Sequence, residues 1–265
     1  MSVPIYQVDA FTSRLFGGNP AAVCLLDAWP DAEVMQSVAA ENNLSETAFL
    51  VKSDAGYDLR WFTPKIEVDL CGHATLAAGH VVLNIMNPDI DSISFDTLSG
   101  TLIVTRDDVW LSMDFPARAP QPVSTADALS DALGKRPSEV HLARDFLVLY
   151  DDEASVRALS PDFAKLSAIE EALGIIVTAK GDDVDFVSRF FAPNAGIDED
   201  PVTGSAHCTL VPFWSERLGK KKLQARQISE RGGELQCEDH GERVTISGQC
   251  ELYLSGTINI SSTKP

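Results

Sequence analysis

The sequence predicts an α+β protein made of two pseudo-symmetric β-rich barrels or rolls, each wrapped around one central helix. Two observations carry this reading. First, two segments are versions of each other. Arg60-Trp61-Phe62-Thr63-Pro64 runs into Leu70-Cys71-Gly72-His73-Ala74-Thr75, and Arg189-Phe190-Phe191-Ala192-Pro193 runs into Val202-Thr203-Gly204-Ser205-Ala206-His207. The two arginines lie 129 residues apart in a chain of 265. Self-similarity at close to half the chain length marks a duplicated fold with a site between its halves. Second, each half places one largely apolar helix among many short strands. A helix that is apolar all round has to be enclosed, and the strands are what can enclose it.

The elements follow in order. Pro4 to Phe11 alternates as a strand, and Phe16-Gly17-Gly18-Asn19-Pro20 is a turn. Ala21 to Leu26 reads as a buried strand. Pro30 and Asp31 open a helix through about Asn42, because proline is tolerated in a first turn and aspartate favours that end. Strands at Ala48–Val51 and Tyr57–Phe62 flank a turn, and Gly72 to about Met86 is the first central helix. Strands are expected at about 93–96, 100–105 and 109–115. Three prolines between Pro116 and Pro122 mark a linker, which divides the chain into domains 1–118 and 119–265, with a last strand that returns towards the first domain. In the second half, helices are expected at about 125–133 and 161–172. Strands are expected near 139–142, 146–150, Ile175–Ala179 and Phe186–Phe191. The second central helix runs from Gly204 to about Leu218, and strands resume at 223–230, 233–239, 242–247 and 251–260.

Composition excludes several classes. Hydrophobic content of 45% with 23% charged residues is that of a soluble globular chain. A net charge of −18 argues against nucleic acid, which needs clustered Lys and Arg, and against anionic membrane surfaces. The only basic cluster, Lys220-Lys221-Lys222, reads as a solvated helix end. The longest fully apolar run, Ala21 to Leu26, is far short of the ~20 residues of a membrane helix. The start of the chain lacks a targeting signal. The five cysteines are odd in number and include no C-x-x-C, which fits a reduced, cytoplasmic protein.

The chemistry concentrates at the two central-helix starts. The first N–H groups of a helix have no internal partner, and the dipole adds positive potential there. Gly72 and Gly204 allow a ligand close to the backbone. Two such ends facing one cleft would bind a small carboxylate, although Gly, Ser and Thr at a helix start also serve as caps. His73 follows Gly72, and Ser205 takes its place in the second copy. Asp200 lies just before, in the acidic loop Asp198-Glu199-Asp200. A scaffold symmetric in backbone and asymmetric in chemistry is what separate acid and base roles need. Glu46 enters a buried strand from the polar stretch Asn42-Asn43-Leu44-Ser45. Partial desolvation there would raise its pKa towards a value useful for proton transfer, while an exposed loop glutamate is the plainer alternative. Aligning Val51 with Val177 puts Ala172 at the matching place, with no second acid.

No metal site is expected. His73 and His80 share a helix face about 10 Å apart, too far for one zinc. His207 and Cys208 are adjacent and point different ways. Thr203-Gly204-Ser205-Ala206-His207 is not a nucleophile elbow, and no dinucleotide or phosphate-loop fingerprint is present.

These residues resemble the PhzF-like (phenazine biosynthesis protein F-like) isomerases, within the diaminopimelate epimerase-like fold. The matching segments are Val8-Asp9-Ala10-Phe11 with Phe16-Gly17-Gly18-Asn19-Pro20-Ala21-Ala22-Val23; Asn43-Leu44-Ser45-Glu46-Thr47-Ala48-Phe49; and both copies of the repeat, including Glu199-Asp200-Pro201. The resemblance implies cofactor-free acid–base chemistry in the cleft between the domains, on a small carboxylate, in a homodimer. Carried over by motif, Glu46 would be the proton-shuttling carboxylate. His73, Asp200 and Ser205 would orient substrate and relay protons. Gly72 and Gly204 would supply N–H groups, with Asn19, Ala74 and Thr203 lining the substrate. One departure stands out. The family often has Ala-Gly-His-Pro-Thr where this chain has Cys71-Gly72-His73-Ala74-Thr75. Cys-Gly-His is also similar to the proline racemases, which use two opposed thiols, but Val202 stands where their second cysteine would be. An amino-acid or hydroxy-acid racemase and a non-catalytic carboxylate-binding protein remain as alternatives.

Overall fold

Glycine and proline punctuation sets the order of elements. The computed structural model describes residues 1–124 and 126–261. The first stretch contains β1 (Ser2–Ala10), β2 (Asn19–Leu26), α1 (Ala32–Asn42), β3 (Glu46–Lys52), β4 (Tyr57–Phe62), β5 (Glu67–Val68), α2 (Gly72–His80), β6 (Ser92–Thr97), β7 (Gly100–Asp107) and β8 (Trp110–Pro116). It continues with β9 (Gln121–Pro122), α3 (Ala126–Leu133), β10 (Glu139–Leu142), β11 (Phe146–Leu149), α4 (Glu153–Arg157), α5 (Phe163–Ser167), β12 (Ile175–Lys180), β13 (Phe186–Ala192) and β14 (Ile197–Asp200). The last elements are α6 (Gly204–Leu218), β15 (Lys222–Gln227), β16 (Gly233–Asp239), β17 (Arg243–Gly248) and β18 (Cys250–Asn259).

The chain forms two compact units, Met1–Asp114 with Ser247–Pro265, and Phe115–Ile246. The expected division at 118/119 differs from this: the second unit takes Phe115 to Arg118, and the first takes back everything from Ser247. The physical reason for the return is β18, which pairs antiparallel along the whole of β1, from Ser2 opposite Asn259 to Ala10 opposite Cys250.

The duplication is visible in strand order. In the first unit, β2 runs parallel to β3, β3 pairs antiparallel with β4, and β4 pairs with β5 on its way to a parallel contact with β6. In the second unit, β11, β12, β13, β14 and β15 repeat those relations in the same order and sense. The repeated arginines have the same duty in each. Arg60 on β4 grips Glu67 on β5 through two bonds of 2.6 and 2.7 Å. Arg189 on β13 grips Glu199 on β14 through two of 2.8 Å. A planar guanidinium forked onto a carboxylate fixes the turn that delivers each central helix.

Both central helices are enclosed. α2 packs against β1, β2, β3, β7 and β18, and every residue from His73 to Gly79 is buried. A Cβ on Gly79 would come within 2.6 Å of Val104 on β7, so only glycine lets the helix lie this close. α6 packs against β15 and β16 and buries ten of its residues. It tolerates Pro212 because the Cys208 carbonyl, which loses its helical donor there, accepts the backbone N–H of Arg118 at 2.8 Å instead.

Several expectations need correction. The helix expected through Met86 widens into π-helical turns at Val81–Met86, where Asn87 N–H reaches Val82 O at 2.8 Å. The helix expected over 161–172 stops at Ser167, and the Ile169 carbonyl accepts the Asn194 amide instead of an i+4 donor. The short helix α4 was not expected, although Asp152 caps it by accepting from Ser155 N–H at 2.7 Å. The acidic loop ends as strand β14. The expected start of the helix at residue 125 lies outside the described residues. Among the described residues no helix is long and apolar enough to cross a membrane.

Candidate active site

In the first unit, β2, β3 and the start of α2 bring four side chains together. Glu46 is the first residue of β3, opposite Ala21 on β2. Its Oε2 lies 3.1 Å from Nε2 of His73. The other ring nitrogen, Nδ1, lies 3.2 Å from the Asn19 amide and 3.5 Å from the Cys71 thiol. All four are buried; Glu46 is 9% exposed and His73 5%. The sequence expectation that Glu46 stands half-desolvated at a strand entry understated its burial.

This contact sets the charge of the imidazole. Burial works against the imidazolium, but Cys71 and Glu46 outweigh it, and His73 titrates well above its ordinary value. Burial, with Glu46 beside it, pushes the Cys71 thiol up despite the opposing pull of His73. The arrangement is a buried Glu46–His73 pair with the Cys71 thiol at the other ring nitrogen. Gly72 and Ala74 lie in the first turn of α2. Cys71 is its N-cap, and its thiol faces that turn, at His73 Nδ1 and the Ala74 N–H.

In the second unit, Asp200, Thr203, Gly204 and Ser205 stand at the end of β14 and the start of α6. Thr203 Oγ1 donates to Asp200 Oδ2 at 2.5 Å, so this cap residue makes no side-chain bond to the first turn of its helix. Gln227, which the sequence reading missed, holds the turn. Its Nε2 donates to Asp200 O at 2.7 Å, and its Oε1 accepts from Thr203 N–H at 2.9 Å. His207 donates from Nδ1 to Thr203 O at 2.8 Å. Ser205 is half-buried at the second position of α6.

The internal registers also correct the repeat alignment. Arg60 faces Phe49, and Arg189 faces Val177. Phe49 therefore matches Val177, and the place of Glu46 falls on Gly174, not on Ala172. A Cβ at Gly174 would lie 2.2 Å from the Phe190 ring, so any side chain there forces that ring to shift. Beside it, on the run into β11, stands Asp145, 1% exposed. Burial holds its carboxyl above the usual range against the pull of Arg144, Arg118 and the Gly174 N–H.

The phenazine biosynthesis-like protein model matches residues 8–256. The chain belongs to this family. It is 53% identical over 260 residues to an uncharacterized isomerase of Pseudomonas aeruginosa, covering 98% of this chain and all of that one. A crystal structure of a PhzF-family protein of Enterococcus faecalis superposes with a TM-score of 0.96 at 47% identity, over 98% of this chain and all of the other. A hydroxyproline epimerase of Agrobacterium vitis shares the fold, with a TM-score of 0.63 at 10% identity over 97% and 91% of the two chains. The family's close relatives are named isomerases, and the chain falls in that activity class.

The expectation of no metal site weighed His73 with His80 and His207 with Cys208. The fold does what sequence spacing hid: it puts one ligand atom each from Glu46, Cys71 and His73 within 4.8 Å of one another.

Proposed function

We propose that this PhzF-family chain is a cofactor-independent isomerase that moves a proton between carbons of a small, cyclic carboxylate, with Glu46 as the base. The Glu46–His73 contact of 3.1 Å carries the reading. A carboxylate takes a carbon-bound proton best where water is scarce and its partner is already placed, and both groups here are buried. Glu46 removes the proton, becomes the neutral acid, and returns it at another carbon on the same face of the substrate. His73 holds Glu46 in position and relays charge. The first-turn N–H groups of α2, from Gly72, bind the substrate's carboxylate. Asn19 and Ala74 line the bound substrate.

The test is proton NMR in deuterated water with a panel of cyclic dienyl and hydroxy carboxylates. Double-bond migration or deuterium uptake with wild type, lowered at least ~10²-fold in Glu46→Gln, is the expected result. Equal turnover by the variant overturns the assignment of the base.

The Cys71 thiol, 3.5 Å from His73, favours one second reading, an amino-acid or hydroxy-acid racemase with Cys71 as a base. That chemistry needs a thiolate, and burial with Glu46 keeps the proton on sulfur. Unchanged activity in Cys71→Ser removes this reading. A chain that only binds carboxylates would keep ligand affinity in Glu46→Gln and place no deuterium in any ligand.

A further inference from the structure

The Glu46–Cys71–His73 cluster is assembled from three parts of the first unit: a strand start, a helix cap and the first turn of that helix. A thiolate, an imidazole nitrogen and a carboxylate oxygen form a donor set suited to zinc and poorly suited to calcium or magnesium. The three ligand atoms lie within 4.8 Å of one another. Bonds of about 2.0–2.3 Å around a tetrahedral ion put its ligands roughly 3.3–3.8 Å apart. Glu46 Oε2 lies 3.1 Å from His73 Nε2 and Cys71 Sγ 3.5 Å from Nδ1 of the same ring, so a shared ion takes one ring nitrogen and the remaining ligand turns towards it. Glu46 Oε2 and His73 Nε2 are both buried and, the ion pair between them aside, make no hydrogen bond.

We propose that Glu46, Cys71 and His73 form a zinc-binding site that, when filled, takes the base of the isomerase out of action. Charge favours it. A carboxylate and a thiolate together balance the ion, and a chain of net charge −18 draws cations towards it. The exchange is balanced as well: zinc enters, and the Cys71 thiol proton and any proton on His73 leave to solvent. Three protein ligands leave a fourth position for water or for the carboxylate of a bound molecule. The inhibitory consequence rests on Glu46 being the base; the metal site itself does not.

The experiment is a titration of the purified, reduced full chain with cobalt(II), followed by zinc competition against a chelator of known affinity. One equivalent of cobalt with thiolate-to-metal charge-transfer absorption, displaced by zinc, is expected. Cys71→Ala and Glu46→Gln should each weaken zinc at least ~10-fold, since loss even of an outer partner costs that much. Circular dichroism of each variant checks that it is folded, and Cys71→Ser provides a second removal of the thiolate. Absence of the thiolate absorption, or equal zinc affinity in wild type and both variants, overturns the proposal. Neither readout uses turnover, so a failure here is separate from a failure to find substrate.

Discussion

Glu46 on β3 and His73 on α2 meet at 3.1 Å, Oε2 to Nε2, inside the first unit. The pair is made by two elements that each bury the groups for a different reason. Glu46 starts a strand that lies parallel to β2 and antiparallel to β4. His73 sits on a helix that is buried through Gly79. Neither side chain can withdraw to solvent, so each serves as the other's solvent.

A pair that acts as a unit gives non-additive losses. Glu46→Gln and His73→Gln are each expected to lower turnover at least ~10²-fold. The double variant is expected to lose no more than about tenfold beyond the worse single. A double loss equal to the product of the two singles would separate the residues into independent roles.

The two arginine forks are expected to differ in weight. Arg189 and Glu199 are 13% and 21% exposed, and Arg189 also donates to the Val156 and Leu159 carbonyls at 3.2 and 2.9 Å. Arg60 and Glu67 are each 27% exposed. Lysine keeps the charge and loses the fork. Arg189→Lys should cost about 2 kcal/mol, and Arg60→Lys under about 1 kcal/mol, read from urea midpoints. The reverse order would mean that the carbonyl bonds of Arg189 carry little.

What was legible in the chain follows from how locally it was encoded. The paired Arg-to-Pro and Gly-start motifs gave the duplication, because each fork and each helix start lies within one short stretch. Helix α6 ends as read, at Gly219, whose φ of +65° suits glycine. The π-helical turns and the shortened α5 were not legible, since packing and the Asn194 side chain decide them. The match of Glu46 moves by two residues, because strand pairing sets Phe49, not Val51, against Val177. In sequence Cys71 stands out only as a departure from the family motif, and only folding brings its thiol to His73 and Glu46.

Gly174 offers a direct check of that corrected register. Its added methyl would meet the Phe190 ring at 2.2 to 3.1 Å, and Phe190 is itself buried. Gly174→Ala should lower stability by about 1–3 kcal/mol, the range for overpacking a core. Adding Phe190→Leu should return part of it. Gly174→Ala with unchanged stability would show that the ring moves aside freely.

His207 is expected to set an acid limit on stability. It lies fully buried on α6, and burial lowers its pKa from 6.5 to about 4, against the opposing bond to the Thr203 carbonyl. The folded chain therefore keeps a neutral imidazole with the proton on Nδ1. Between pH 6.5 and about 4 the unfolded chain binds a proton that the folded chain refuses. The stability this residue contributes is present above that window and falls as pH drops through it, by about 3 kcal/mol in all. His207→Asn keeps an N–H for Thr203 and removes the titration. Urea unfolding of wild type and variant, compared at neutral pH and near pH 4, reads the effect as a change in their difference. A difference that stays constant across the window would mean that His207 is protonated in the folded chain, and that its ring finds water or an acceptor at Nε2.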